Sequence, residues 1–312
     1  MAGIVESIPN FSEGRDAGVI EQLENALTAI QGVALLDRHR DEDHHRCVLT
    51  VAGSVESMEE AAFSVVAQAV ELIDLKHHTG QHPRLGACDV LPFVPLSGST
   101  MEQCVRLAHR VGERIGRELR LPVFLYEEAC ERPFRQRLEQ IRKGGLVALM
   151  KRMATGPAWA PDFGPAEPHP TAGVVVVGAR HPLVAFNVVL QSYDVSLARD
   201  IARSVRASNG GLPAVKAIGL ALKSQCCVQV SMNLTDYRQT PVHLAFDAVK
   251  RAAALKGVAV VKSELVGLIP QDALAQITGH DLQLEALTQT QTVEHRLGQW
   301  ELSRVVDNDR SS

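Results

Sequence analysis

Aromatic residues make up only 4% of this 312-residue chain, against 46% hydrophobic residues in all, so its interior must be built mainly from aliphatic side chains. No run approaches the ~18 apolar residues of a membrane-spanning helix. The N-terminus MAGIVESIPN lacks the basic-then-apolar order of a targeting segment. A net charge of -4 lacks the basic surplus of a nucleic-acid binder. The six cysteines show no paired metal spacing, and Cys226 and Cys227 are adjacent, which reads as buried apolar thiols in a reducing compartment. We therefore expect a soluble, cytoplasmic protein with no membrane or nucleic-acid partner. GxSxG, a P-loop lysine motif and GxGxxG are also missing. The GGLP at Gly210 has no preceding strand of the dinucleotide-binding kind, so the serine-nucleophile, phosphate-loop and dinucleotide classes lose support.

What the chain does have is an alternation of strand-like and helix-like segments. Gly3 to Ile8 alternates apolar and polar residues and ends at Pro9. The loop PNFSEGRD follows, and a helix is predicted from about Ala17 to Ile30, with Ser12 and Asp16 as candidate caps. VALLD and CVLTVAG read as strands joined by the charged link HRDEDHHR. In the next segment, Ala62, Val65, Val66, Ala69, Leu72 and Ile73 recur at helical spacing. Val90 to Val94 then reads as a strand that Pro92 demotes to an edge or an irregular piece. Strand, helix, strand, strand, helix, strand is the split βαβ order of a ferredoxin-like layer.

A further helix (Met101 to Leu119), the strand LPVFLY and a charged, helix-prone stretch over residues 127–152 complete the first half. The Gly- and Pro-rich segment ATGPAWAPDFGPAEPHPTAG reads either as a linker or as a loop packed over a ligand, and its aromatic residues favour the loop. From Gly173 the strand and helix order repeats, and the charged, Gln-rich tail is expected to fray at DNDRSS. The expectation is an α/β (α+β) protein of two ferredoxin-like subdomains, residues 1–172 and 173–305, with a ligand cleft between them.

The densest chemistry lies in DLKHHTGQHPRLGACDVLPFVPL, on a helix-to-strand connection. His82, between Gly80 and Pro83-Arg84, is the candidate proton acceptor and donor, because imidazole titrates near neutrality. Asp89 can orient a ring or meet a cation, and Arg84 can grip a carboxylate. Zinc held by His77, His78 and His82 is a competing reading. It is weakened because adjacent histidines seldom converge on one ion and no HExxH is present. Solvated loop residues shaped by glycine and proline are the bland alternative.

Six motifs run in order along the chain: IVESIPNFSEGRD, the HxGxHPRxGAxD core from His78 to Asp89, WAPDFGP, VVGARHPLVAFNVVL, QVSMNLTDY and SELVGLIP. Together they resemble the glutamate formiminotransferase family over roughly residues 3–300. That resemblance implies formimino transfer from N-formimino-L-glutamate to tetrahydrofolate in histidine degradation. Tetrahydrofolate is implied as co-substrate, with no metal expected, in a cytoplasmic homodimer served by a separate cyclodeaminase. His82 matches the catalytic histidine, with Arg84 and Asp89 beside it. The folate-binding stretch falls on Asp162, Phe163, Gly164, Pro165 and onward to Thr171. Asn10, Arg46, Asn187 and Lys216 are the candidates for substrate binding. Animal members have an acidic residue and an asparagine where this chain has His39 and His45, which leaves N-formylglutamate or another one-carbon donor as an alternative. A folate-binding protein without turnover is a further one.

Overall fold

The computed structural model describes residues 3–80, 82–284 and 289–311, and the chain divides into two compact units at Arg180/His181. Both units are mixed α/β, each built on its own sheet.

The first unit begins with β1 (Ile4–Ser7), β2 (Asn10–Phe11), α1 (Ala17–Thr28), β3 (Val33–Asp41), β4 (Arg46–Ser54) and α2 (Val55–Leu72). It continues with β5 (Cys88–Pro95), α3 (Met101–Glu118), β6 (Val123–Glu127), α4 (Leu138–Arg142), α5 (Gly145–Met153) and β7 (Val175–Ala179). The seven strands form one sheet. β3, β4, β1 with β2, and β5 are antiparallel neighbours, and β7 and β6 extend the sheet beyond β5 in parallel. Local chemistry starts the first three helices. Asp16 accepts the Gly18 and Val19 amides at α1, Ser54 accepts the Ser57 amide at α2, and Thr100 with Gln103 forms a capping box at α3. The α2 residues Met58, Ala61, Ala62, Val65, Val66 and Ala69 are buried, as their spacing predicts.

One sheet face packs on α1, α2 and α3 through an aliphatic core that includes Leu23, Val51, Val65, Leu107 and Val177. A second cluster of Leu85, Val90, Phe124, Ile141, Leu149 and Val176 joins α4 and α5 to β5, β6 and β7. Ser12, one of the two candidate caps, instead donates to the Gly86 carbonyl, 2.7 Å, tying two loops together.

Three expectations change here. β5 is an interior strand in spite of Pro92. The Pro92 carbonyl accepts the Ser7 hydroxyl at 2.8 Å, at the break between β1 and β2, where a missing ladder N–H costs little. The segment 173–180, placed with the second half from sequence, is hydrogen-bonded between β5 and β6, because VVVGA forms a strand buried throughout. The tail is α9 (Val293–Ser311), anchored by Val293 and Leu297, which lie one helical turn apart and are both buried.

The second unit contains β8 (Val184–Leu190), α6 (Val195–Val205), β9 (Val215–Leu222), β10 (Cys227–Leu234), α7 (Val242–Ala254), β11 (Val260–Leu265), α8 (Gln271–Ile277) and then α9. Its sheet is antiparallel in the order β11-β8-β10-β9. Val184, Phe186, Val188, Val228, Val230 and Met232 face a core shared with α6 and α7. The alternate residues Asn187 and Gln229 are also buried and face the other way, since side chains alternate along a strand.

Of the cysteines, Cys47, Cys88 and Cys104 are buried, but Cys226 is exposed on the turn between β9 and β10, so burial does not hold for all six. Among the described residues, no helix is long and apolar enough to cross a membrane.

Candidate active site

Asp89, near the start of β5, has a fully buried carboxylate. Three donors serve it. The Leu85 amide reaches Oδ1 at 2.7 Å, Arg46 Nη1 reaches Oδ2 at 2.9 Å, and Arg142 Nη2, from the end of α4, also reaches Oδ2. Burial by itself would raise the pKa of this carboxyl. Arg142 and Arg46 outweigh it, assisted by the Leu85 amide, and hold it below the ordinary value. Burial likewise pushes Arg46 down to about 10, so it keeps its charge at neutral pH.

Arg46 is the hub. Its Nε and Nη2 donate to Asn10 Oδ1 at 3.0 and 2.6 Å, and its Nη1 lies 3.0 Å from His82 Nδ1. Asn10 on β2 and Arg46 on β4 are brought together by the pairing of Asn10 with Val48. His82 Nδ1 is also 2.8 Å from the Pro83 carbonyl. A guanidinium only donates and a carbonyl only accepts, so Nδ1 can bond to one of them at a time. Bonded to Pro83, Nδ1 carries the hydrogen and Nε2 keeps its lone pair. Burial, then Arg46, Arg142 and His44, push the His82 pKa well below its ordinary value near 6.5. The ring is held neutral, and with Nδ1–H on Pro83 its Nε2 lone pair is the position at which it can accept a proton.

The loop that carries His82 is pinned from several sides. Asp74 caps a 3-10 turn over Leu75–His77, and the Leu75 amide donates to the Thr171 carbonyl at 2.9 Å. His78 Nδ1 accepts the Gly80 amide at 3.1 Å, so its Nε2–H donates to the His45 carbonyl, 2.8 Å away. His45 stacks on His78 at 4.3 Å between ring centres and meets Glu13 Oε1 at 3.1 Å. A Cβ at Gly80 would sit 2.1 Å from the His44 carbonyl, so only glycine allows the two loops to approach this closely. Arg84 donates to the His78 carbonyl at 2.9 Å and braces the same loop.

Asn10, Arg46, His82 and Asp89 thus converge. The zinc reading does not survive: both His78 nitrogens are engaged, the His77 ring is exposed, and among the described residues no cluster of ligating side chains has a metal-holding arrangement. Asp162 is held by Arg135 at 2.7 Å and by the Leu125 amide at 2.7 Å, while Phe163 packs against Gly112 and Gly116. These two side chains fasten the stretch to β6 and α3. Gly164 and Pro165 follow, and beyond Thr171 the chain runs beside the His82 segment, with Ala87 to Ala172 at 2.9 Å and Val174 to Leu85 at 3.1 Å. Asn187 and Lys216 lie in the second unit, where strand register puts both on the face opposite its core. Asn187 donates to Glu264 at 3.2 Å.

Residues 4–180 match the family described as the formiminotransferase domain, N-terminal subdomain, and residues 185–304 match the formiminotransferase domain. The chain belongs to the formiminotransferase family. It is 45% identical over 285 residues to glutamate formimidoyltransferase of Streptococcus pyogenes serotype M1, covering 91% of this chain and 95% of that protein. The Thermoplasma acidophilum glutamate formimidoyltransferase is 42% identical over 295 residues, covering 94% and 97%. Against the formimidoyltransferase-cyclodeaminase of Gallus gallus, identity is 42% over 280 residues, 88% of this chain but 51% of that protein, so this formiminotransferase chain spans about half of it.

Sequence reasoning missed Arg142, one arginine among several in a charged helical stretch, with no local signal to mark it. It also gave no role to the Asp41 and His44 pair, although both stand in HRDEDHHR.

Proposed function

We propose that this chain moves the formimino group of N-formimino-L-glutamate to tetrahydrofolate, giving 5-formiminotetrahydrofolate and L-glutamate, in histidine degradation. The observation that carries the mechanism is a neutral His82 imidazole anchored at Nδ1 beside two guanidiniums that share one buried carboxylate. N5 of tetrahydrofolate attacks the formimino carbon and a C–N bond forms. His82 Nε2 takes the proton of the attacking amine and then returns it to the glutamate nitrogen as the second C–N bond breaks. The cationic pair Arg46 and Arg142 opposes a lasting positive charge on His82, which favours return of the proton. All three guanidinium nitrogens of Arg46 are engaged, by Asn10 and Asp89. Arg46 therefore stands as a positioning group beside the base, and Arg84 and Lys216 remain the candidates for substrate carboxylates.

The folate is read as lying along the stretch from Asp162 to Thr171. Asp162 and Phe163 hold the backbone, while Gly164, Pro165 and Thr171 supply contact surface. The support is that the end of this stretch, at Thr171 and the adjoining Ala172, is hydrogen-bonded to Leu75 and Ala87 of the segment that carries His82. We read both units as ferredoxin-like, on their βαββαβ order, and the active form as a homodimer served by a separate cyclodeaminase. Tetrahydrofolate-dependent release of glutamate from N-formimino-L-glutamate, with the folate product followed in the same sample, tests the reaction. Folate binding without glutamate release would sink it, and sedimentation as a monomer would remove the dimer.

A further inference from the structure

Asp41 and His44 lie at the hairpin turn between β3 and β4 and form a closed pair. The His44 amide donates to Asp41 Oδ1 at 2.7 Å, and His44 Nδ1 lies 2.6 Å from Oδ2. With Nδ1–H committed to a carboxylate, Nε2 is the nitrogen left to meet a ligand, and in the neutral form of the ring it is an acceptor. His44 is 6% exposed, and its Nε2 is buried with no hydrogen-bond partner. A buried acceptor without a donor is costly, and such atoms are few in native proteins. The His44 ring also stands edge to face against His82, with 5.9 Å between ring centres. A small group held at His82 is therefore within reach of His44, given a local adjustment of the two rings.

We propose that His44, oriented by Asp41, is a specificity-determining residue that accepts an N–H from the terminal nitrogen of the group being transferred. This rests on the formiminotransferase reading, with His82 at the reacting carbon. A formimino group ends in a nitrogen that bears hydrogen, whereas a formyl group ends in an oxygen that only accepts. Facing the Nε2 lone pair, the first gains a hydrogen bond and the second meets acceptor-to-acceptor repulsion. A polar site of this kind discriminates strongly because the wrong partner leaves a buried group unpaired. No proton is transferred to His44 in this role, which leaves the acid–base work to His82.

The test compares kcat/KM for N-formimino- and N-formyl-L-glutamate, each with tetrahydrofolate, in the wild type, His44→Phe and His44→Leu. Phe keeps a ring against His82 and Leu keeps apolar bulk, but both lack the acceptor. Expected is a fall in the formimino-to-formyl ratio of about 10- to 100-fold in either variant, with folate affinity unchanged. An unchanged ratio in a folded variant overturns the proposal. Imidazole nitrogen NMR of the wild type with N-formimino-L-glutamate alone supplies a readout that needs no variant. The His44 Nε2 signal should move from a free acceptor toward a hydrogen-bonded one, and no movement at saturation overturns the proposal as well. Wild-type protein that transfers neither group would refute the reaction itself, a result distinct from either of these.

Discussion

The hairpins of the two units share a turn geometry and differ in what the turn presents. Residues 42–45 link β3 to β4 and residues 223–226 link β9 to β10, and in each turn the last residue is left-handed, His45 at φ 50° and Cys226 at φ 52°. In the first unit that residue stacks on His78 and bonds to Glu13. In the second it is an exposed thiol. The connections from the second helix to the fourth strand diverge further. Residues 73–87 carry the His82 loop in the first unit, whereas residues 255–259 join α7 to β11 directly. The same strand order therefore does not select chemistry; it comes from the side chains and insertions placed on that order.

The sharpest way to break the comparison is at His82. His82→Ala should lower the chemical step by roughly 10²- to 10⁴-fold while folate affinity and thermal midpoint hold, because the residue is only half-buried and acts as a proton carrier. Near-normal single-turnover rates would move the proton to another group. Next in size is Asp89→Ala, which leaves two guanidiniums without their shared buried counter-ion and should cost about 3–5 kcal/mol of stability. Denaturant unfolding measures it, and a change within about 0.5 kcal/mol would show that Arg46 and Arg142 find other partners.

A pH test follows from His78. Burial lowers its pKa from 6.5 to about 4, so the unfolded chain binds the proton more readily than the native one. Stability should be full above pH 6.5 and decline as pH falls toward 4, with His82 and His45 adding to the same slope. The depressed carboxyl of Asp89 acts in a lower window, where stability is lost as pH falls below the ordinary carboxylate range. His78→Asn should flatten the urea midpoint between pH 7 and 4.5; an unaltered slope would assign it elsewhere.

The hairpins themselves supply a matched pair. His45→Ala should reduce turnover about tenfold by loosening the His82 loop, while Cys226→Ala leaves it unchanged. Equal effects would mean the turn, and not its side chain, is what matters. The smallest effect is expected in the second sheet. Asn187→Ala removes one 3.2 Å bond to Glu264 and should cost about 1 kcal/mol. A much larger loss of folate or glutamate affinity than of stability would show that the second unit reaches the ligand.

Much of this was legible in the chain. The apolar run CVLTVAG reads as a strand and is buried throughout, and the three- and four-residue spacing in α2 reports which face is buried, so strands and helices could be placed. His82 and Asp89 stand seven positions apart in one polar cluster, Asn10 lies on a motif of the family, and Arg46 ends the charged link HRDEDHHR. Arg142 was not legible, because it reaches Asp89 from a distant helix and nothing near it in sequence differs from a solvated arginine. The Asp41–His44 pair was hidden for a related reason: whether a histidine nitrogen is paired, buried or free depends on its neighbours in space. β7 was assigned to the wrong half because a strand's local pattern does not name its partner strand.

Elements and their buried faces follow from the order of residues alone, since periodicity and caps act within a few positions of each residue. Which strand lies beside which, which guanidinium meets Asp89, and how far His82 is held from its proton are settled only by packing. These depend on distances between residues 36 to 53 positions apart, and Coulomb and hydrogen-bond energies act through space, not along the chain.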